Sequence, residues 1–337
     1  MLRTNGYQRF ADHPAQRVKS YVLMIVATVV FASCRDIGDL GIDPAVAFPV
    51  SAQYDARRNE LLVASYENGE VWHVPLASLD KPTVFLRTDE FAEHRVLRIR
   101  IDARRDRLWV LTFDAVYLYE LGTGRLIQRT ALPTLFYFKK HCFADMAVDH
   151  TGAAFISSTL EPMLFRVDGD TFTLTTLNID VGADANKDFG FNALTFVGDG
   201  RVLLAASSAL GQLWRIDTGR MQAIRVNISS PIRGACALSA VERMGPRGID
   251  HRGDVYVSLY VAGGFKGGVR RIDLRPAPQR GWVSNLGFVA HLVATTDLLI
   301  ARNMMLIVHS PLMSHKDFDG DGAPAPVKIV PIFQPLI

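Results

Sequence analysis

Residues 102–119 read DARRDRLWVLTFDAVYLY, and most of the chain is a set of variations on this phrase. Asp102 opens it, two arginines and Asp106 make a polar turn, and residues 108–112 form an apolar, strand-like run. Asp114 then leads into a second strand at 115–119. Asp55 opens an earlier copy with strands at 61–65 and 70–74, and Asp149 opens a later one with strands at 155–159 and 163–167. Val197 holds the aspartate's place before 203–207 and 212–216, and Asp250 precedes 256–260 and 268–272. A worn sixth copy covers 298–302 and 304–308. If the first strand of each copy is taken as the inner strand of its unit, these strands begin at 61, 108, 155, 203, 256 and 298, in steps of 47, 47, 48, 53 and 42.

A period in the forties, filled with short β-rich runs and polar turns, is the pattern of radial repetition in which each unit is one blade. Six copies predict an all-β protein, a six-bladed β-propeller of four-stranded antiparallel blades. One such sheet cannot bury both of its faces alone, and packing between two neighbours supplies the missing core. The repeat fills residues 48–337 as a single domain, and residues 327–332 are expected to supply the outer strand that completes the ring. The tryptophans Trp72, Trp109 and Trp214 lie within strand runs and read as packing residues between blades.

The N-terminus has a different composition. Residues 1–20 carry Arg3, Arg9, Arg17 and Lys19 against Asp12 alone, and residues 21–32 are apolar except for Thr28. A basic segment followed by a short apolar one reads as a signal peptide over residues 1–33, too short for a comfortable membrane span. It ends Phe31-Ala32-Ser33-Cys34, which resembles the cleavage site of bacterial lipoproteins, with phenylalanine where leucine is usual. That resemblance implies lipidation of Cys34, a linker over residues 34–47, and an extracytoplasmic protein held to the membrane by its lipid.

Without residues 1–33 the chain has 33 basic and 33 acidic side chains, from totals of 37 and 34 less the four and one of the leader. A neutral protein gives no electrostatic footprint for nucleic acid. Beyond Cys34 only Cys142 and Cys236 remain. They precede the strands of the third and fifth units, which are not neighbours in a ring of six, so two separately buried thiols are expected. A disulfide, the alternative, would need both to point into the channel or into long connecting loops.

Residues 191–204, FNALTFVGDGRVLL, resemble the Asn-Gly-Leu-x-Phe-x-x-Asp-Gly-x-x-Leu-Tyr signature of the SMP-30/gluconolactonase and NHL-like six-bladed propellers. Related strings run from Ala144 to Asp149 and from Gly248 to Tyr256. The resemblance implies the propeller fold. It also raises the activity of some members, lactone hydrolysis at a calcium or zinc ion held at the top of the channel. Asn192 then matches the channel asparagine. Asp145 and Asn192, with Asp188 nearby, either line the channel mouth or are buried residues whose side chains bond to backbone amides of their own loops. Elsewhere the pattern departs: no glutamate occurs in the stretch before Asp55, Gly245 stands where the catalytic aspartate would, and Arg95, Arg98 and Arg100 bring cations toward the supposed metal. One amide and one carboxylate are too few oxygen ligands for a hard divalent ion.

Two acidic strings remain. Asp317, Asp319, Asp321 and Gly322 match the opening of a calcium loop, although Lys328 occupies the place of its bidentate glutamate. Asp184, Asn186, Asp188 and Gly190 match it more loosely. The first is read as either a structural calcium site or an unliganded turn. The reading that takes in all these features is a lipid-anchored scaffold without catalytic activity, whose rim loops meet a protein, peptide or glycan; a metal-dependent lactonase is the alternative. The glycine-rich excursion at 262–268, tipped by Phe265 and Lys266, is a candidate rim loop.

Overall fold

The computed structural model describes residues 48–78, 81–87, 95–133, 145–182, 190–198, 200, 202–243, 256–263, 269–275, 280–285, 295–301, 304–309 and 328–333. The leader over residues 1–33, Cys34, Cys142, Asp184, Asn186, Asp188, Phe265, Lys266, Asp317, Asp319 and Asp321 lie outside the described residues.

The chain is all-β and propeller-like, and each blade is an antiparallel meander running outward from the axis. The first blade holds β1 (Pro49–Asp55), β2 (Glu60–Ser65), β3 (Val71–Pro75) and β4 (Thr83–Leu86). The second holds β5 (Arg98–Asp102), β6 (Arg107–Leu111), β7 (Ala115–Glu120) and β8 (Leu126–Ala131). The third holds β9 (Met146–Val148), β10 (Ala154–Ser157), β11 (Met163–Val167) and β12 (Leu174–Asn178). The fourth, β13 (Ala193–Val197), β14 (Val202–Ser207), β15 (Gln212–Asp217) and β16 (Gln222–Ile228), is followed by the fifth, β17 (Ala235–Arg243), β18 (Tyr256–Gly263), β19 (Val269–Arg275) and β20 (Arg280–Asn285). A short parallel pairing of β16 with β20 joins the outer edges of these two blades. The sixth blade, among the described residues, has three strands: β21 (Thr295–Ala301), β22 (Met304–His309) and β23 (Lys328–Phe333).

The strands the sequence marks most strongly are the second of each blade, not the innermost. They begin at 60, 107, 154, 202, 256 and 304, giving steps of 47, 47, 48, 54 and 48. The sixth copy is therefore one strand out of register in the sequence reading: residues 298–302 belong mainly to the innermost strand, and Met304 is the true counterpart of Glu60. Second strands stand out because neighbouring blades cover both their faces, so β2 and β6 are buried along nearly their whole length. The outermost strands β8, β12 and β16 are half-exposed and carry mixed polar sequences.

Apolar clusters lie between successive blades all the way round. One cluster runs through the first three blades, and others join the third to the fourth, the fourth to the fifth and the fifth to the sixth. Ala52, Leu61, Val63 and Val74 meet Leu299, Leu306 and Val308 where the last blade returns to the first. The inner strands pack side by side in the same circular order, β21 against β1 included. Trp109 and Trp214 are almost fully buried in these layers, as their strand positions predict. Among the described residues β1 pairs only with β2 and β23 only with β22, and side-chain packing joins the last blade to the first.

The turns between first and second strands bring adjacent blades close together. Asn59 and Asp106 take the left-handed backbone conformation there, which those side chains tolerate. At the matching turn of the fourth blade, Gly200 has φ +81 and a Cβ would sit 2.5 Å from the backbone nitrogen of His150. Only glycine fits that approach.

Candidate functional site

The axis is occupied by a buried network built from the starts of the inner strands. Ser51, Arg98, Asp145 and Asn192 recur every 47 residues, one from each of the first four blades. Antiparallel pairing places Ser51 opposite Ala64 and Arg98 opposite Leu111, the same level in their blades. Asp297, opposite Val308, is the corresponding residue of the sixth blade. Ser51 and the side chains of Arg98, Asp145 and Asp297 are at most 1% exposed, and the Arg100 side chain is 12% exposed.

Asp145 accepts at Oδ1 from Arg98 Nε (3.2 Å), Arg100 Nη2 (2.7 Å) and the Met146 amide (2.8 Å). Its Oδ2 accepts from the Leu194 amide of the fourth blade at 2.8 Å. Asp297 repeats the arrangement: Oδ1 takes the Leu298 amide (2.9 Å), and Oδ2 takes Ser51 Oγ (2.6 Å), the Ala52 amide (3.2 Å) and Arg100 Nη1 (3.1 Å). Ser51 Oγ in turn accepts from the Ile99 amide of the second blade at 3.2 Å. One device thus recurs three times: a side chain at the start of one inner strand receives an amide from the inner strand of the next blade. Arg98 completes the circle by donating through Nη2 to the carbonyl of Cys236 in the fifth blade, at 3.3 Å. All six blades contribute an atom to this hub.

Four ionised groups of zero net charge can be buried at moderate cost only if every one is paired and hydrogen-bonded. The hub meets that condition. Burial would lower the Arg100 pKa, but Asp297 and Asp145 on either side outweigh it and hold the group above its ordinary value.

This geometry decides what the predicted channel residues can do. Each aspartate already receives four donors, two of Asp145's from guanidinium groups, so neither is free to ligate a cation or accept a substrate proton. Asn192 is 6% exposed, and its Oδ1 accepts from the Ser208 amide at 2.8 Å. Asp145 and Asn192 are near one another in the ring, but they turn their oxygens toward the protein itself. Among the described residues no group of three or more His, Cys, Asp or Glu side chains gathers as a metal site. The described donor set does not fit the metal that the lactonase resemblance implies.

Sequence reasoning missed Ser51 and Asp297 and read Arg98 and Arg100 only as cations hostile to a metal. The 47-residue spacing of polar residues was the available signal for Ser51. Asp297 was hidden by the one-strand slip in the sixth copy. Cys236 is buried as expected, but it is disulfide-bonded and not a free thiol. Because all inner strands converge at the axis, lying on non-neighbouring blades is no obstacle to such a bond.

No family model matches the chain, and no curated protein matches it in sequence. Solved structures do match its shape. The major Malassezia sympodialis allergen Mala s 1 aligns with a TM-score of 0.58 at 13% identity, over 87% of this chain and 94% of that one. A catalytically inactive virginiamycin B lyase from Staphylococcus aureus, solved with quinupristin, aligns with a TM-score of 0.56 at 10% identity, over 81% of each chain. A putative gluconolactonase aligns with a TM-score of 0.53 at 14% identity, over 82% of this chain and 88% of that one. The likeness is one of fold. A propeller can carry many chemistries, so a neighbour's activity does not transfer with the shape.

Proposed function

We propose that this protein is a non-catalytic binding scaffold of the bacterial cell envelope. In this reading residues 1–33 are removed, Cys34 carries the lipid, and the propeller presents its rim loops to a protein, peptide or glycan. The observation that carries the proposal is the saturation of the axial carboxylates. A lactonase-like propeller needs channel oxygens free to hold a metal and to take a proton, and here Asp145 and Asp297 are committed to the ring. A closed ring with such an axis leaves the rim as the surface for recognition. The disulfide at Cys236 supports an oxidising, extracytoplasmic compartment.

The full chain is expressed in a bacterial host and the mature protein recovered from its membranes. Intact mass should show a diacylglyceryl group at an N-terminal Cys34; an unprocessed or unmodified terminus would remove the anchor from the proposal. The same preparation is tested for bound metal, for lactone hydrolysis, and for binding to glycan and peptide arrays with and without EDTA. Binding that survives EDTA and is lost in Phe265→Ala or Lys266→Ala supports the scaffold. Lactone hydrolysis that disappears with a stoichiometric metal overturns it.

A further inference from the structure

Ser207 and Gln212 are directly paired across the β14–β15 hairpin. Ser207 is 0% exposed, and the side-chain oxygen of Gln212 is buried beside it. Among the described residues neither Ser207 Oγ nor Gln212 Oε1 has a hydrogen-bond partner. Side chains alternate along a strand, so Ser207 shares a face with Leu203 and Ala205, and Gln212 with Trp214 and Ile216. Those four residues belong to the apolar layer between the third and fourth blades, which places the two polar atoms at the hub end of that layer. Hydroxyls in the corresponding places of two other blades have partners. In the third blade Ser157 Oγ accepts the Asp145 amide at 2.8 Å and donates to the Asp145 carbonyl at 3.3 Å. In the second, Thr112 Oγ1 accepts the Ala115 amide at 3.2 Å. Ser207 differs from both: its hydroxyl donor stands opposite an amide oxygen acceptor, and neither is satisfied.

A buried polar atom without a partner is costly, and folded proteins nearly always satisfy it. Directly opposed residues of antiparallel strands hold their Cβ atoms about 5 Å apart, so one small molecule can reach both side chains. We propose that Ser207 and Gln212 bind a buried water at the seam of the third and fourth blades, which accepts the Ser207 hydroxyl proton and donates to Gln212 Oε1. Such waters bridge buried polar groups and belong to the fold as side chains do. Water is the ligand that suits the site, because it is both donor and acceptor and the serine is closed off from the rim. Its place gives it a structural role. The residue after Ser207 supplies the amide that holds Asn192 Oδ1, at 2.8 Å, so the water fastens the hairpin that orients the fourth blade's axial side chain. This inference is independent of what the rim binds.

The test begins with a high-resolution crystal structure of the unsubstituted protein. The expected result is density for one water at about 2.6–3.2 Å from both Ser207 Oγ and Gln212 Oε1. A direct bond between the two side chains, or no density between them, overturns the site. Thermal melts of Ser207→Ala, Gln212→Met and the double variant test the fastening. Each single change strands the water with one partner fewer and should lower Tm by about 2–4 °C. The double variant makes the site apolar and should lose no more than the worse of the two singles. A single change that leaves Tm unchanged or raises it, or losses that simply add, overturns the fastening role. Should a variant fail to fold, the crystal structure still decides whether the water is there.

Discussion

The two ends of an inner strand use the same residues to opposite effect. At the start of β5, Arg98 is buried and Arg100 largely so, and they bind aspartates from two other blades. At its end, Asp102 accepts the amides of Arg104 (3.2 Å) and Arg105 (3.3 Å) and pairs with Arg105, which also reaches the His150 carbonyl of the next blade. The first blade makes the same turn: Asp55 accepts the amides of Arg57 and Arg58, and Arg58 crosses to Asp106 of the second blade at 3.1 Å. Arginine and aspartate therefore join blades at both ends, but the turn arginines Arg58 and Arg105 are far more open to water than those of the hub. A charge left alone at the hub has no solvent to turn to, whereas one left alone at a turn does. Energetic weight should follow burial and not the number of contacts.

The sharpest way to break this comparison is Asp297→Ala. It leaves Arg100, Ser51 and the Ala52 amide without their shared acceptor, and breaking a buried pair from one side costs about 3–5 kcal/mol. Denaturant unfolding should show that loss, or the variant should fail to accumulate as folded protein. A change below about 1 kcal/mol would mean the hub is not the keystone. Because Arg100 serves both aspartates, Asp145→Asn combined with Asp297→Asn should cost less than the sum of the single changes. Asp55→Ala and Asp102→Ala, with no shared partner, should add. At the turns the expected cost is smaller. Asp102→Ala removes two amide caps and one ion pair from a buried carboxylate at the edge of water, a loss of about 1–2 kcal/mol in the same measurement. If it equals the loss from Asp297→Ala, burial is not what separates the two ends.

How much of this could be read from the chain follows from the same contrast. The blade period is legible because second strands such as 107–111 are covered on both sides and must be apolar throughout. The innermost strands are harder to read, since their starts are spent on the polar axis and β9 has only three residues. In the sixth copy β21 and β22 are both apolar runs, so the sequence alone could not tell first strand from second, and Asp297 was lost in the slip. Asp145 and Asn192 could be singled out from their family-like strings. The cross-blade partners of Asp145 could not, because Arg98, Arg100 and Leu194 come from different blades and meet it only when the ring closes.

Arg58→Ala probes the exposed end of the comparison more gently. Arg58 links Asp55 to Asp106, and the carboxylates hold its pKa above the ordinary arginine value. The Arg58 side chain is 32% exposed and that of Asp106 36%, so screening limits the bridge to about 0.2–1 kcal/mol. A melt in low salt should register the substitution, and one at about 1 M salt should not. A loss that persists at high salt would place this arginine with the buried group.

The smallest expected effect, and the one with a defined pH window, is at Asp168 in the turn after β11. The amides of Thr171 and Asp170 donate to its Oδ1 and, with some help from Arg166, outweigh the opposing effect of burial to bring its pKa from 3.8 to about 2. A carboxyl whose folded pKa is depressed stabilises the fold fully above its unfolded value and loses that contribution as pH falls through the folded one. Asp168→Asn keeps the amide acceptor and removes the titration. Wild type should therefore be more stable than the variant at pH 5, and the difference should shrink between about pH 4 and pH 2. The carboxylate is partly open to water, so the gap is expected to be a degree or two in Tm and to narrow in salt. A difference that stays constant from pH 5 to pH 2 would show that Asp168 acts through shape alone, leaving the buried hub as the place where charge matters to this ring.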